Sequence, residues 1–291
     1  MPRTPKSRPR ARRPLGAAGT SGAGRPSSPR PQLCLQCRRT SRGETLRKSH
    51  PSEREQARRR SRPADESEPR GVPSHYLCGA TRQPLLDRLQ AARLYVVTPG
   101  AEPERILDLA EAVLRGGADV VQLRHKTLAR RELLDLARRL REVTSAAGAL
   151  FVVNDYLDLA LLSRADGVHL GRDDLSVASA RRLAGDRLLI GASASKTSDA
   201  LAVIAAGADY IGCGATFATP LKPDKGVIGP AGVAAVSRAV TVPVFAIGGI
   251  DDSNIEQLTA LGLSRVCVIR AVAEAADPES AARRLRTILG G

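Results

Sequence analysis

The residues of this chain that could carry ionic chemistry come in short clusters, each just after an apolar run. The first is Gln122-Leu123-Arg124-His125-Lys126, directly after Val120-Val121. Alternation along an extended strand turns Gln122, Arg124 and Lys126 to one side and His125 to the other. Two cations and an amide on one side suit a phosphate or a diphosphate. The competing reading is a basic pair capping a strand end in solvent. The second cluster is Asn154-Asp155 and the third is Gly171-Arg172-Asp173-Asp174. Mg²⁺ takes one or two carboxylates together with phosphate oxygens and water. Asp155 and Asp174 beside Arg124 and Lys126 therefore suggest a magnesium–diphosphate site. Asn and Asp also start helices as N-caps, which is the plainer reading of both clusters. The two carboxylates could also transfer a proton.

Further along, Gly191-Ala192-Ser193-Ala194-Ser195-Lys196-Thr197 offers hydroxyls for phosphate oxygens or for a helix cap. A longer loop, Gly214–Gly226, contains Thr219 and Lys222 and could serve as a lid or binding loop. Gly248-Gly249 and Ile269-Arg270 follow two more apolar runs. Glycines there let backbone N–H groups approach a phosphate. The sum is two anion sites: a metal-assisted one near residues 122–174 and a backbone one near 248–270.

These clusters need elements to hold them. From about residue 93, β-branched runs alternate with segments of period near 3.6. The runs are Leu94–Thr98, Val120–Arg124, Leu150–Val153, Gly167–Leu170, Leu188–Gly191, Tyr210–Gly214, Val242–Ile247 and Arg265–Ile269. The helical segments are Pro103–Arg115, Arg130–Ala146, Leu157–Ser163, Val177–Leu183, Ser198–Ala206, Ala231–Ala239, Ser253–Ala260 and one near Pro278–Leu289. Gly116-Gly117-Ala118-Asp119 and Ala206-Gly207-Ala208-Asp209 echo each other before the second and sixth runs. Eight such units predict an α/β fold, a (β/α)8 TIM barrel; a doubly wound open sheet is the fallback. In a barrel, catalytic groups lie where strands end, which is where the polar clusters fall.

Composition sets the boundaries. The formal charge of the 291 residues is +15, which points to nucleic acid until it is located. Residues 1–75 hold 19 Lys and Arg against 6 Asp and Glu, a net of +13 that leaves +2 for residues 76–291. The basic stretch has no aromatic residue and 11 of the 19 prolines. It is expected to be a disordered extension, with residues 76–291 forming one catalytic domain. Its charge would bind nucleic acid only non-specifically, since it lacks aromatics to stack on bases. Residues 1–43 are free of acids and loosely match an organelle transit peptide, though their prolines oppose an amphipathic helix. Met1 is the only Met, so another start would use a non-AUG codon, for example at Val72 or Leu77. No apolar run is long enough for a membrane span and no secretory signal is present, so the expected location is the cytoplasm. A homo-oligomer is allowed. Cys34 and Cys37 form a lone CxxC, read as two unrelated thiols, while Cys213 and Cys267 read as small core residues. With three Phe, four Tyr and no Trp, the core is expected to be aliphatic.

Residues from about 93 to 291 resemble the thiamine phosphate synthase family. The match rests on QLRHK (Gln122–Lys126), VVNDYLDLAL (Val152–Leu161), DGVHLGRDDL (Asp166–Leu175), GATFATPLKPD (Gly214–Asp224) and AIGGI (Ala246–Ile250). The resemblance implies that a hydroxymethylpyrimidine diphosphate is joined to a hydroxyethylthiazole phosphate, giving thiamine phosphate and pyrophosphate. It assigns the pyrimidine diphosphate to Gln122, Arg124, Lys126, Asn154 and Ser193, with Arg124, Lys126 and Ser193 acting in catalysis. It assigns Mg²⁺ to Asp155 and Asp174, the lid to Thr219 and Lys222, and the thiazole phosphate to the backbone at Gly249, Ile269 and Arg270. Ser195 stands where the family usually has His, and Leu221 where a second Thr is common. Of the four His, His50 and His75 lie in the extension, His125 faces outward, and His169 is expected to pack within its strand. Two enzymatic rivals share the barrel: a thiazole tautomerase-like paralogue and a phosphosugar isomerase or epimerase. The first would lose the metal Asp and use a His after the fifth strand; the second would leave Arg124 and Lys126 without a task.

Overall fold

The computed structural model describes residues 82–219 and 226–290. The basic extension, its Cys34–Cys37 pair, the boundary at residue 75, Leu221 and Lys222 lie outside the described residues. Eight parallel strands close into a barrel in sequence order. They are β1 (Leu94–Val97), β2 (Val120–Leu123), β3 (Leu150–Asn154), β4 (Gly167–Leu170), β5 (Leu189–Ala194), β6 (Tyr210–Cys213), β7 (Val244–Ile247) and β8 (Val266–Val268). β8 pairs with β1 through Tyr95 and Cys267, which closes the ring. The helices are α1 (Gln83–Ala91), α2 (Pro103–Arg115), α3 (Arg130–Ala146), α4 (Leu157–Leu162), α5 (Val177–Ala184), α6 (Thr197–Ala205), α7 (Gly229–Ala239), α8 (Glu256–Thr259), α9 (Arg270–Ala273) and α10 (Pro278–Ile288). Among the described residues, no helix is long and apolar enough to cross a membrane.

Strand alternation sorts the buried residues into two clusters. Leu94, Val96, Val121, Leu123, Phe151 and Val153 face outward and meet the helices. Their neighbours Tyr95, Val97, Val120, Leu150 and Val152 form a second cluster inside the ring, with Leu189, Tyr210, Phe245 and Cys267. Apart from Phe151 the outer layer is aliphatic, as composition predicts, but the interior is not. Tyr95, Tyr210 and Phe245 pack ring on ring with centroids 5.2–6.0 Å apart. Eight strands enclose a volume that side chains must fill, and three of the chain's few aromatics fill it here. Helix α1, which the sequence reading did not place, adds Leu89 and Ala92 to that inner cluster and closes one end. The expected seventh helical segment, Ser253–Ala260, shrinks to α8, because Asp251 and Asn254 hold residues 251–254 in a turn.

A repeated aspartate ties strand starts together. Asp119 accepts the N–H groups of Arg93 (2.8 Å) and Leu94 (2.9 Å) at the start of β1. Asp166 accepts from Phe151 in β3, and Asp209 from Ile190 in β5, each at 2.8 Å. Each carboxylate also meets an arginine: Arg286 at 3.4 Å, Arg141 at 2.5 Å and Arg181 at 2.5 Å. The sequence echo before β2 and β6 is two copies of this device. The third copy hides because Arg164, with φ 55°, replaces the glycine that takes φ 94° at Gly117 and 105° at Gly207.

Asp209→Ala would leave the Ile190 N–H without its acceptor and take from the Arg181 guanidinium its carboxylate partner, though not its carbonyl acceptors. Loss of a buried partner of this kind costs about 2–4 kcal/mol. Urea denaturation should show that loss; a change under about 0.5 kcal/mol, the level of an ordinary surface substitution, would contradict the assignment.

Candidate active site

A cavity of about 640 Å³ opens at the carboxyl ends of the strands. Its floor is the aromatic cluster. Gln122, 4% exposed, donates from Nε2 to the Tyr95 hydroxyl at 2.7 Å, and that hydroxyl lies 2.9 Å from the Tyr210 hydroxyl. Burial pushes both phenols above their ordinary range, so both stay protonated. Gly191 leaves room for Tyr210, whose Cζ would lie 2.1 Å from a Cβ at that position.

Above the floor, the wall contains Gln122, Arg124, Asn154, Ser193, Thr219, Gly249, Ile269 and Arg270. The structure thus gathers eight of the residues singled out from sequence. Arg124 follows the end of β2. Thr98, 1% exposed, extends the β1–β2 pairing past the strand by donating its N–H to Gln122 O at 2.9 Å. Its Oγ1 accepts the Arg124 N–H at 3.0 Å and so fixes where the guanidinium starts. Among the described residues, Arg124 makes no ion pair within 4 Å.

Lys126, Asp155 and Asp174 form a cluster beside the wall rather than in it. Lys126 Nζ reaches Asp155 Oδ2 at 2.7 Å, and the Asp174 carboxyl lies close enough to that of Asp155 for the two to influence each other. Partial burial alone would raise the Asp155 carboxyl. The hydrogen bonds from Lys126 and Asp174 and the charges of Lys126 and Arg124 outweigh it, so Asp155 lies below the usual range. Asp174 lies above it, through burial and the neighbouring Asp155. The capping reading of both sites falls. Tyr156 holds the N-cap position of α4 without a side-chain cap, and α5 is capped by Ser176. Asp174 Oδ2 instead accepts the Gly171 N–H at 2.7 Å. Among the described residues there is no cluster of three or more His, Cys, Asp or Glu fit to hold a metal. Two hard carboxylate donors fit Mg²⁺ that completes its shell with water and phosphate oxygens.

On the far side, the root of the long loop lies on the glycine turn after β7. Thr216 and Phe217 donate N–H groups to Ile247 O and Gly248 O, each at 2.9 Å. Gly249 takes φ 65°, and a Cβ there would meet Ala218 O at 2.5 Å. Ile269 stands at the N-cap position of α9 without a side-chain cap, and Arg270 approaches Glu274 at 3.7 Å, both in the wall.

His125 faces outward as expected, with Nδ1 accepting from the Leu128 N–H at 2.9 Å. His169 departs from its expected packing role. It lies in the wall, with Nε2 3.0 Å from Ser193 Oγ and its ring 5.6 Å from that of Tyr210. Cys213 and Cys267 are buried, as expected, and burial raises the Cys213 thiol to about 11. Tyr95, Thr98 and Tyr210 are not singled out by their sequence context as site residues, and His169 is assigned there only to packing. All but Thr98 stand on the inward phase of their strands. That phase, applied to all eight strands rather than β2 alone, would have found those three.

A family model described as thiamine monophosphate synthase matches residues 94–272. A thiamine-phosphate synthase of Gloeobacter violaceus is 48% identical over 199 residues, covering 68% of this chain and 58% of its own. One of Moorella thermoacetica is 46% identical over 201 residues, covering 67% and 95%. The chain thus spans little more than half of some relatives and nearly all of others. Among solved structures, the thiamine phosphate pyrophosphorylase from Pyrococcus furiosus superposes with a TM-score of 0.64 at 36% identity, over 70% of this chain and 97% of that one. A 3-hexulose-6-phosphate synthase at 22% identity and TM-score 0.56 shares the fold.

Gly249→Ala would force the left-handed turn and the Ala218 carbonyl apart. The expected cost is about 1–3 kcal/mol, seen as a lower Tm. A variant as stable as the parent would show that the loop root does not rest on this turn.

Proposed function

The chain belongs to the thiamine monophosphate synthase family, and from that premise we propose that it joins a hydroxymethylpyrimidine diphosphate to a hydroxyethylthiazole phosphate. The products are thiamine phosphate and pyrophosphate. One observation carries the reading: a single cavity mouth has Arg124 with the Lys126–Asp155–Asp174 cluster beside it on one side and the Gly249 and Ile269–Arg270 backbone on the other. Two phosphorylated substrates need two anion sites that face a common centre.

In this reading the bond between the pyrimidine methylene and the diphosphate oxygen breaks, and the thiazole nitrogen supplies the pair for the new C–N bond. Arg124 and Lys126 meet the negative charge that grows on the leaving diphosphate. Asn154 and Ser193 orient the pyrimidine diphosphate, and His169 holds the Ser193 hydroxyl at 3.0 Å. Gln122 meets the ring from the floor. Asp155 and Asp174 would hold Mg²⁺, whose charge when bound neutralises diphosphate oxygens. Thr219, and Lys222 beyond the described residues, would cover both substrates. The backbone at Gly249, Ile269 and Arg270 would receive the thiazole phosphate, with the Arg270 guanidinium beside it. No covalent nucleophile is required. The two carboxylates and Ser195 favour this reaction over the tautomerase-like one. The reading carries a cytoplasmic location and small-molecule substrates, with a homo-oligomer allowed.

The full chain should release pyrophosphate only when both substrates are present, and EDTA should abolish release. Arg124→Ala should lower kcat/KM about 10²–10³-fold with Tm unchanged, the scale of losing one charged group at a developing anion. Release without the thiazole phosphate, or an Arg124→Ala variant as active as the parent, would overturn the proposal.

A further inference from the structure

The cavity floor contains a hydrogen-bonded chain that the proposed reaction does not use directly. It runs from the Gln122 amide to the Tyr95 hydroxyl at 2.7 Å and on to the Tyr210 hydroxyl at 2.9 Å. Both tyrosines are 1–2% exposed and Gln122 is 4% exposed, yet all three line the cavity. The barrel reserves space for this arrangement. Tyr210 occupies the gap left by Gly191, and Phe245 packs edge-on against both tyrosine rings at 5.2 and 5.9 Å. The rings therefore cannot swing, and the hydroxyls stay where the packing puts them.

Proton counting at Gln122 shows what the amide has left to offer a ligand. An amide NH₂ has two donors and its carbonyl oxygen only accepts. With one Gln122 N–H spent on the Tyr95 oxygen, that oxygen keeps a second lone pair, and either phenol can donate across the Tyr95–Tyr210 contact. Gln122 keeps one N–H and its carbonyl oxygen. A primary amide held this way offers a donor and an acceptor side by side. An aminopyrimidine offers the complement: a ring nitrogen that accepts and an adjacent exocyclic amino group that donates. Gln and Asn read adenine through the same kind of pair. A buried polar group left without its partner is costly, so a ligand lacking the amino group is rejected more strongly than its size implies.

We infer that Tyr95, backed by Tyr210, is a positioning residue that fixes the Gln122 amide to select an aminopyrimidine over a pyrimidine without the exocyclic amino group. The inference rests on the proposed function for the identity of the ring. Neither tyrosine touches a reacting atom. Their neutrality under burial keeps them as hydroxyl donors rather than phenolates.

The test compares the parent with Tyr95→Phe and Gln122→Glu, using the 4-aminopyrimidine diphosphate and its analogue with hydrogen in place of the amino group. Calorimetric binding of each diphosphate is measured alongside turnover. The parent should prefer the amino compound, and Tyr95→Phe should shrink that preference about tenfold, the worth of one hydrogen bond. KM for the thiazole phosphate should not move, which a general loss of folding would not allow. Tyr210→Phe should shrink the preference less, because it acts one bond further away. Gln122→Glu, which keeps the shape and removes the donor, should abolish it. Equal losses for both diphosphates in Tyr95→Phe would overturn the inference in favour of a purely structural role. So would an unchanged preference, or a parent that binds the two diphosphates equally. The binding measurement stands apart from turnover. A parent that binds the amino compound selectively but releases no pyrophosphate would defeat the proposed reaction while leaving the positioning role supported.

Discussion

A closed ring of eight strands sends every second side chain into an interior of fixed size, and the rest of this structure depends on that constraint. Strands β1, β6 and β7 meet it with Tyr95, Tyr210 and Phe245, while β5 meets it with Gly191. Large and small residues must match across the ring, because a Cβ at Gly191 would strike the Tyr210 ring. The same phase, one step further along each strand, leaves the packed layer and reaches the mouth. There the inward residues turn polar: Asn154, His169 and Ser193. The floor and the binding wall are thus successive layers of one pattern. A wall built on strand ends inherits the rigidity of the barrel beneath it.

The opposite end is held by different chemistry. Asp119, Asp166 and Asp209 each bind backbone N–H groups of the preceding strand and an arginine outside the ring. These contacts fix the starts of alternate strands, while the polar clusters occupy their ends. Stability and chemistry are thereby separated along the strand axis, as is general for this architecture. At the chemical end, charge is only partly balanced within the protein. Lys126 satisfies Asp155, but Asp174 beside it lies above its ordinary range, and Arg124, though its charge is felt at Asp155, makes no ion pair within 4 Å among the described residues. A site with both surplus cation and paired carboxylates suits a ligand that brings phosphate oxygens and a metal together.

Much of this was legible in the sequence, for stated reasons. Helices α2 and α3 lie where their 3.6-residue period places them, and Gly167–Leu170 is a strand as read. The inward phase of Gln122 and Arg124 followed from alternation alone. Helix α1 lies ahead of the alternating pattern that signals the barrel, although Pro84 opens it and Leu85, Leu86 and Leu89 give it an apolar face. The aromatic floor was overlooked because seven aromatics in the whole chain suggested an aliphatic core. Composition counts residues but does not say where they concentrate. His169 was misjudged for a related reason: its strand is read as buried, yet its phase opens to the cavity. The contact between Lys126 and Asp155 joins two strands 29 residues apart, and no local pattern encodes it.

The central claim is that one mouth holds two anion sites at once. Calorimetric titration of the thiazole phosphate into the full chain, with and without saturating magnesium pyrophosphate, tests it most directly. The account predicts one thiazole phosphate bound per chain in both cases, with pyrophosphate leaving that affinity intact or improving it. Competition between the two ligands would mean a single anion site and would contradict the account.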